Sequence, residues 1–396
     1  MATAAAAKKI EALLRAGDVE GAEKQIASAF KKDADDPDAL TFQARVQAYR
    51  GDIDTALATL DKALKIKGGH VDARAYRGSM LLEKGKNTEA RALLEAVVRD
   101  HPDHATANFN LARCWARASE FKKADTFLSA ALRLDPDNAY YVFAKARLLL
   151  DMEQFEASFD TLKQAIKLNP TFVEAWQVLT NLQISLGNYK DAVANLREAV
   201  RVNPEVSELR SGLVNALLAA GDVASSVLEA EAMAKDYANE PEVLANLGSV
   251  YMAAERYPDA EIALRQALTK DPGHARAAYQ LGMLLEATED EKNVKEAAGL
   301  FQRAIASDAD FWKPYNDLGL IHLNHEAFKD LDKGFGLIQK AVELAGDVPD
   351  PKFNLALAHA KKGNAQQATQ LCNEVMVHPM ARPALKEMAE ALIKAL

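Results

Sequence analysis

Small and apolar side chains recur at helical spacing along nearly the whole chain, and the stretch from Ala105 to Pro136 shows the rule most clearly. Counting Ala105 as position 1, Leu111 and Ala112 stand at positions 7 and 8 and Trp115 at 11. Phe121 follows at 17, Ala124 at 20, Leu128 at 24, Ala131 at 27 and Pro136 at 32. Steps of three, four and seven put these residues on one face of each of two successive helices. Small residues at 8, 20 and 27 predict a crossing where two backbones come close, with the larger side chains filling the space on either side. Pro136 ends the second helix, because proline lacks the N–H and crowds the preceding turn.

The same residue types return every 34 residues. Position 20 reads Ala22, Ala56, Ala90, Ala124, Ser158, Ala192, Ser226 and Ala260; position 27 reads Ala29, Ala63, Val97, Ala131, Ala165, Ala199, Met233 and Ala267. Gly17, Gly51, Gly85, Gly187, Gly221 and Gly363 fall where a first helix must end, a place that suits a left-handed residue. This pattern resembles the tetratricopeptide repeat, a helix–turn–helix unit. The resemblance implies an all-α fold, an α-solenoid built as a right-handed superhelix of antiparallel helix pairs. It covers residues 3–380 as about eleven units, starting near 3, 37, 71, 105, 139, 173, 207, 241, 275, 312 and 349.

Residues 381–396 read as a separate capping helix. Leu385, Met388, Ala389, Leu392, Ile393 and Leu396 make one apolar stripe, with Lys386, Glu387, Glu390 and Lys394 opposite. A repeat array needs a terminal element with a polar outer face, and dimerisation through this helix is the lesser alternative. The units at 275 and 312 each carry three extra residues, expected on inter-helix loops. The unit from Ser207 exchanges small and large sites (Val214, Ser226, Ala230, Met233), which predicts looser packing there.

Composition narrows the function. A net charge of −9 argues against nucleic acid or an anionic membrane as the main partner. No run approaches 18 apolar residues and the first residues lack a signal-peptide core, so a cytoplasmic location is expected. The two cysteines, Cys114 and Cys372, lie too far apart along the array to bridge, and they fit a reducing compartment. The chain has no glycine-rich phosphate loop, no Gly-x-Ser-x-Gly elbow and no Cys-x-x-Cys pair. His101 and His104 suit turn chemistry better than metal binding, and His322 and His359 fill a slot that holds Trp115 or Tyr251 elsewhere. No enzymatic activity, cofactor or metal is expected.

The resemblance further implies a binding scaffold, in which positions 2, 5, 9, 12 and 13 of successive first helices line a groove for a peptide or helix of another protein. Here those positions hold Arg45, Tyr49, Phe109, Arg113, Arg117, Tyr140, Phe143 and Arg147, the arginine-plus-aromatic mixture enriched at interface centres. Asp125 and Asp151 are the acids nearby that compete for these charges. A second groove is suggested by Asn215, Asn246 and Arg276, which match three places of the carboxylate clamp that grips an acidic C-terminal tail in some co-chaperones. Ser211 and Gln280 stand where that clamp needs cations. A clamp-like adaptor and a self-associating structural oligomer are therefore the alternatives to a groove-binding scaffold.

Overall fold

The computed structural model describes residues 4–15, 18–31, 33 and 35–396; Thr3 and Gly17 lie outside them. Among the described residues the chain is all helix, with no strand. In chain order the helices are α1 (Ala4–Arg15), α2 (Val19–Phe30), α3 (Pro37–Tyr49), α4 (Ile53–Ile66), α5 (Val71–Glu83), α6 (Asn87–Asp100), α7 (Ala105–Arg117), α8 (Phe121–Leu134), α9 (Ala139–Asp151), α10 (Phe155–Leu168), α11 (Val173–Ser185) and α12 (Tyr189–Val202). They continue with α13 (Ser207–Ala219), α14 (Val223–Asp236), α15 (Pro241–Ala253), α16 (Tyr257–Lys270), α17 (Ala275–Glu286), α18 (Glu291–Ser307), α19 (Trp312–Asn324), α20 (Leu331–Ala345), α21 (Pro349–Lys361), α22 (Ala365–Val377) and α23 (Pro383–Ala395).

Two compact units divide the chain, one running to Leu186 together with Arg201–Asn203, the other formed by Gly187–Val200 and Pro204–Leu396. In the first, α1 packs on α2, α3 on α4, α5 on α6, α7 on α8 and α9 on α10, and the first helices α3, α5 and α7 lie side by side. In the second, α13 to α22 pair in the same way, with α13, α15 and α17 adjacent and α19 beside α21. The result is an all-α solenoid.

Every position-20 residue from Ala22 to Ala260 is at most 1% exposed, which places the small-residue stripe at the helix crossings. Serine serves there twice because its hydroxyl finds a partner across the crossing. Ser158 Oγ donates to the Ala146 carbonyl at 2.8 Å and Ser226 Oγ to the Val214 carbonyl at 3.1 Å, so a buried polar atom is satisfied at no cost in size. In the unit from Ser207, Val214, Ala230 and Met233 are also buried in one cluster, so the exchanged small and large sites still form a core there.

Gly51, Gly85, Gly187, Gly221 and Gly363 take left-handed backbone at the end of their first helices. Ser119, Glu153 and Glu255 (φ 58° each) and Glu289 (φ 56°) adopt the same turn without glycine. A side chain in this region costs on the order of 1 kcal/mol. Glu153→Gly and Glu255→Gly should each raise stability by about 0.5–1 kcal/mol. Urea unfolding read at the affected repeat checks this, and an unchanged or lower midpoint contradicts it.

The extra residues of the longer repeats are accommodated differently. In the first, Asp290 caps the helix, accepting from the Lys292 and Asn293 N–H groups at 3.1 Å each, and α18 grows to 17 residues where α16 has 14. That insertion therefore lengthens a helix, against the expectation of a longer loop. The second does enter a connection, as the 3₁₀ turn Glu326–Phe328. At the C-terminus, α23 packs on α22 through Leu385 and Ala389, with Leu392 and Ile393 half-buried. Met388 and Leu396 are exposed, so the stripe divides into a packed edge and an open one.

His104 caps α7 in a way that His70 and His274 repeat on α5 and α15's successor α17. In each, Nδ1 accepts a backbone N–H at 3.1–3.2 Å, from Ala107, Ala73 and Ala277 respectively. Nε2 meets a carboxylate of the preceding repeat: Asp72 at 2.9 Å, Asp38 at 2.8 Å and Glu242 at 2.9 Å. One ring thus caps a helix and ties two repeats together. His101 stands at the C-terminal end of α6. His359 sits edge-on to Phe335 with centroids 4.9 Å apart, and His322 Nδ1 bonds the Phe328 carbonyl at 2.8 Å. Cys114 and Cys372 are both free and buried, and burial pushes the Cys114 thiol up to about 11.

Candidate functional site

The ring-bearing positions of α7 and α9 create an opening between two first helices. Phe109 stacks on Tyr141 (centroids 4.6 Å apart) and meets Tyr140 edge-on at 5.4 Å. Phe172 extends the cluster, 4.9 Å from Phe143 and 6.3 Å from Tyr140. Whereas α5 lies close against α7, these rings separate α7 from α9, so that Ala124 and Leu128 of α8 become the floor of a groove of about 370 Å³. Ala112, Ala116, Ala144 and Leu148 line its walls. At its mouth stand Arg113, Arg117, Arg147 and Asp151.

Six of the residues singled out in the sequence, Phe109, Arg113, Arg117, Tyr140, Phe143 and Arg147, line this one groove. They differ in what they can offer. Phe109 and Phe143 are buried and shape the wall, whereas the Tyr140 ring is 51% exposed. Arg113 pairs with Glu83 of α5 and reaches Ser79 Oγ and Asn110 Oδ1 at 3.4 Å each. Arg117 donates to the Leu82 carbonyl and lies 3.7 Å from Glu83. Arg147 is exposed, and among the described residues no carboxylate lies within ion-pairing distance of it. Asp125 is taken by Lys145. The acid that engages the arginines is therefore Glu83, reached across the α5–α7 contact, and neither Asp125 nor Asp151.

Arg45 and Tyr49 stand apart from the groove. The Arg45 guanidinium pairs with Glu11 and sits 4.6 Å from the Tyr76 ring centroid and 5.6 Å from that of Phe42, so its charge and both its faces are engaged internally. Tyr49 is exposed at the end of α3. In the second unit Arg276 donates to Asn246 Oδ1 at 2.7 Å and pairs with Glu242, and Gln280 bonds Ser249 at 2.5 Å. Asn215 is exposed on α13. Asn246 and Arg276 thus come together, but with the cation already committed.

Ala116 and Ala144 of the walls and Phe172 were not singled out in the sequence. Their signal was the alanine at position 12 of α7 (Ala116), one of the groove-facing positions, together with an aromatic just before α11. Among the described residues no group of three or more His, Cys, Asp or Glu side chains could hold a metal ion, and no helix is long and apolar enough to cross a membrane.

Family models described as Tetratricopeptide repeat match residues 8–71, 77–139 and 246–311, then 184–249, then 139–172. No curated protein matches the sequence. Among solved structures the chain is similar to yeast Tom70 (14% identity, 99% of this chain and 94% of that chain, TM-score 0.53). It is also similar to a chain of the APC/C hetero-tetramer Cut9–Hcn1 (12% identity, 98% of this chain and 95% of that chain, TM-score 0.49). At 14% identity the likeness to Tom70 is one of fold. With repeat models matching in five successive blocks and helix pairs in the corresponding register, the chain belongs to the tetratricopeptide repeat family.

Proposed function

We propose that the chain is a non-enzymatic protein-interaction scaffold, and that the α7–α9 groove holds a peptide or helical segment of another protein during assembly of a larger complex. The observation that carries this reading is the combination of an open apolar recess, an exposed Tyr140 ring and an unpaired Arg147 in a chain of net charge −9. A buried apolar floor supplies affinity through area removed from water. A cation at the rim selects a partner with a carboxylate near its apolar anchor, since a charge-assisted hydrogen bond is stronger than a neutral one. Aromatic and arginine side chains are also those that most often dominate binding energy when they sit at the centre of an interface. The occupant that fits is an acidic segment with one bulky apolar side chain.

The double variant Tyr140→Ala, Arg147→Glu changes two exposed side chains and should leave helicity intact. It is expected to weaken capture of the partners held by the parent by at least about tenfold, from a loss of roughly 1–2 kcal/mol per hot-spot side chain. Arg276→Glu, in the other unit, should leave capture unchanged. Quantitative mass spectrometry of crosslinked partners distinguishes the two, and full retention of every partner by the double variant sinks the reading.

A further inference from the structure

The two arginines on the α7 side of the groove are already bound to a carboxylate from within the chain. Glu83, the last residue of α5, pairs with Arg113 and stands 3.7 Å from Arg117 Nη2. The side chains are partly open to solvent, with relative exposures of 24% for Arg113, 39% for Arg117 and 37% for Glu83. Arg117 is anchored independently by its bond to the Leu82 carbonyl, and Arg113 by Ser79 and Asn110. Removing the Glu83 carboxylate therefore leaves both guanidinium groups positioned. With Glu83 and Asp151 in place, the three arginines leave only one net positive charge at the mouth.

We propose that Glu83 is an internal competitor: it occupies the Arg113–Arg117 pair in the free protein, and a partner's carboxylate exchanges with it on binding. This rests on the groove reading above. Ion pairs exposed to this degree are worth little on their own, because water and salt screen them and two long side chains must be held still. Exchange is therefore cheap, and the cost falls on partners that lack an acid to offer. A ligand with a neutral polar residue would have to leave Glu83 where it is and gain only the apolar floor. A ligand with an acid gains the floor, Arg147 and a share of the two arginines. Glu83 thereby acts as a filter, setting how acidic a segment must be before it is held.

The test uses two fluorescein-labelled probes on the full chain: a short peptide with one phenylalanine flanked on each side by two aspartates, and the same peptide with asparagines. Fluorescence anisotropy gives the Kd of each for the parent, for Glu83→Gln and for Glu83→Gln combined with Arg113→Gln. The acidic probe is expected to bind Glu83→Gln up to about fivefold more tightly than the parent, the range that follows from the worth of an exposed ion pair. The asparagine probe should bind both alike, and the added Arg113→Gln should cancel the gain. Equal or weaker binding of the acidic probe by Glu83→Gln, with helicity unchanged, overturns the competitor role while leaving the groove standing. Failure of both probes to bind any of the three proteins overturns the competitor role and the groove reading together.

Discussion

Gly282→Ala should destabilise the α17–α18 crossing by about 1–3 kcal/mol, more than the same change at Gly78 or Gly248. A Cβ placed on Gly282 would stand 2.5 Å from Phe301 Cε1 and 2.8 Å from Cδ1, and Phe301 is fully buried. Gly78 and Gly248 meet Leu94 and Leu264 at 2.6 Å in the equivalent places. Repeats with alanine there, such as Ala112 opposite Leu128, show that leucine can yield to a methyl group. A phenylalanine ring has no comparable freedom, because it moves as one rigid plate among close-packed neighbours. Hydrogen exchange across α17 and α18 measures the loss. Phe301→Leu in the same chain should recover part of it, since the leucine restores the pair found elsewhere in the array. Protection factors unchanged by Gly282→Ala would mean that the helices are not in contact at this point.

The second large effect concerns pH. Burial, and then the nearby charge of Asp317, push the Glu286 carboxyl up to about 7 from its ordinary 4.5. Asp317 is itself raised by burial, against the pull of hydrogen bonds from Asn316 (2.8 Å) and Tyr279 (2.9 Å). A carboxyl whose folded value is raised binds its proton more tightly in the folded state. Its contribution to stability is therefore complete below about pH 4.5 and is lost as pH rises through about 7. Because the group is partly open to water, the loss is on the order of 1–2 kcal/mol after screening. Glu286→Gln should leave stability near pH 4 almost unchanged and raise it by that amount at pH 8. Exchange protection of α17 and α19 at the two pH values reads the difference between parent and variant. An equal response of both proteins at pH 8 would show that Glu286 is already ionised without penalty.

The crossings were legible in the sequence because they depend on residue size at fixed intervals. Ala22 through Ala260 could be placed by counting alone, and two serines joined the series because a hydroxyl is nearly as small as a methyl. Turns marked by glycine were equally plain. Those at Ser119, Glu153, Glu255 and Glu289 were silent, since nothing in a serine or glutamate announces a positive φ. Side-chain commitments were harder still. Arg45 and Arg147 occupy the same repeat position, yet one is enclosed by Glu11, Phe42 and Tyr76 and the other, among the described residues, has no carboxylate within ion-pairing distance. The difference lies in what the neighbouring repeats contribute across the helix contacts, Glu11 from the preceding one and Tyr76 from the following one, as with Glu83 and the two arginines beyond it. A motif defined within one repeat carries no record of that neighbour.

The two buried thiols give the molecule an internal pair of clocks. Cys114 lies in α7 of the first unit and Cys372 in α22 of the second, each nearly inaccessible in the closed state. A thiol reagent in excess can modify each only when its own helix pair comes apart, so the two labelling rates time two separate local events. Neither clock needs an engineered probe. A partner that grips the α7–α9 groove would slow the first and leave the second running at its own pace.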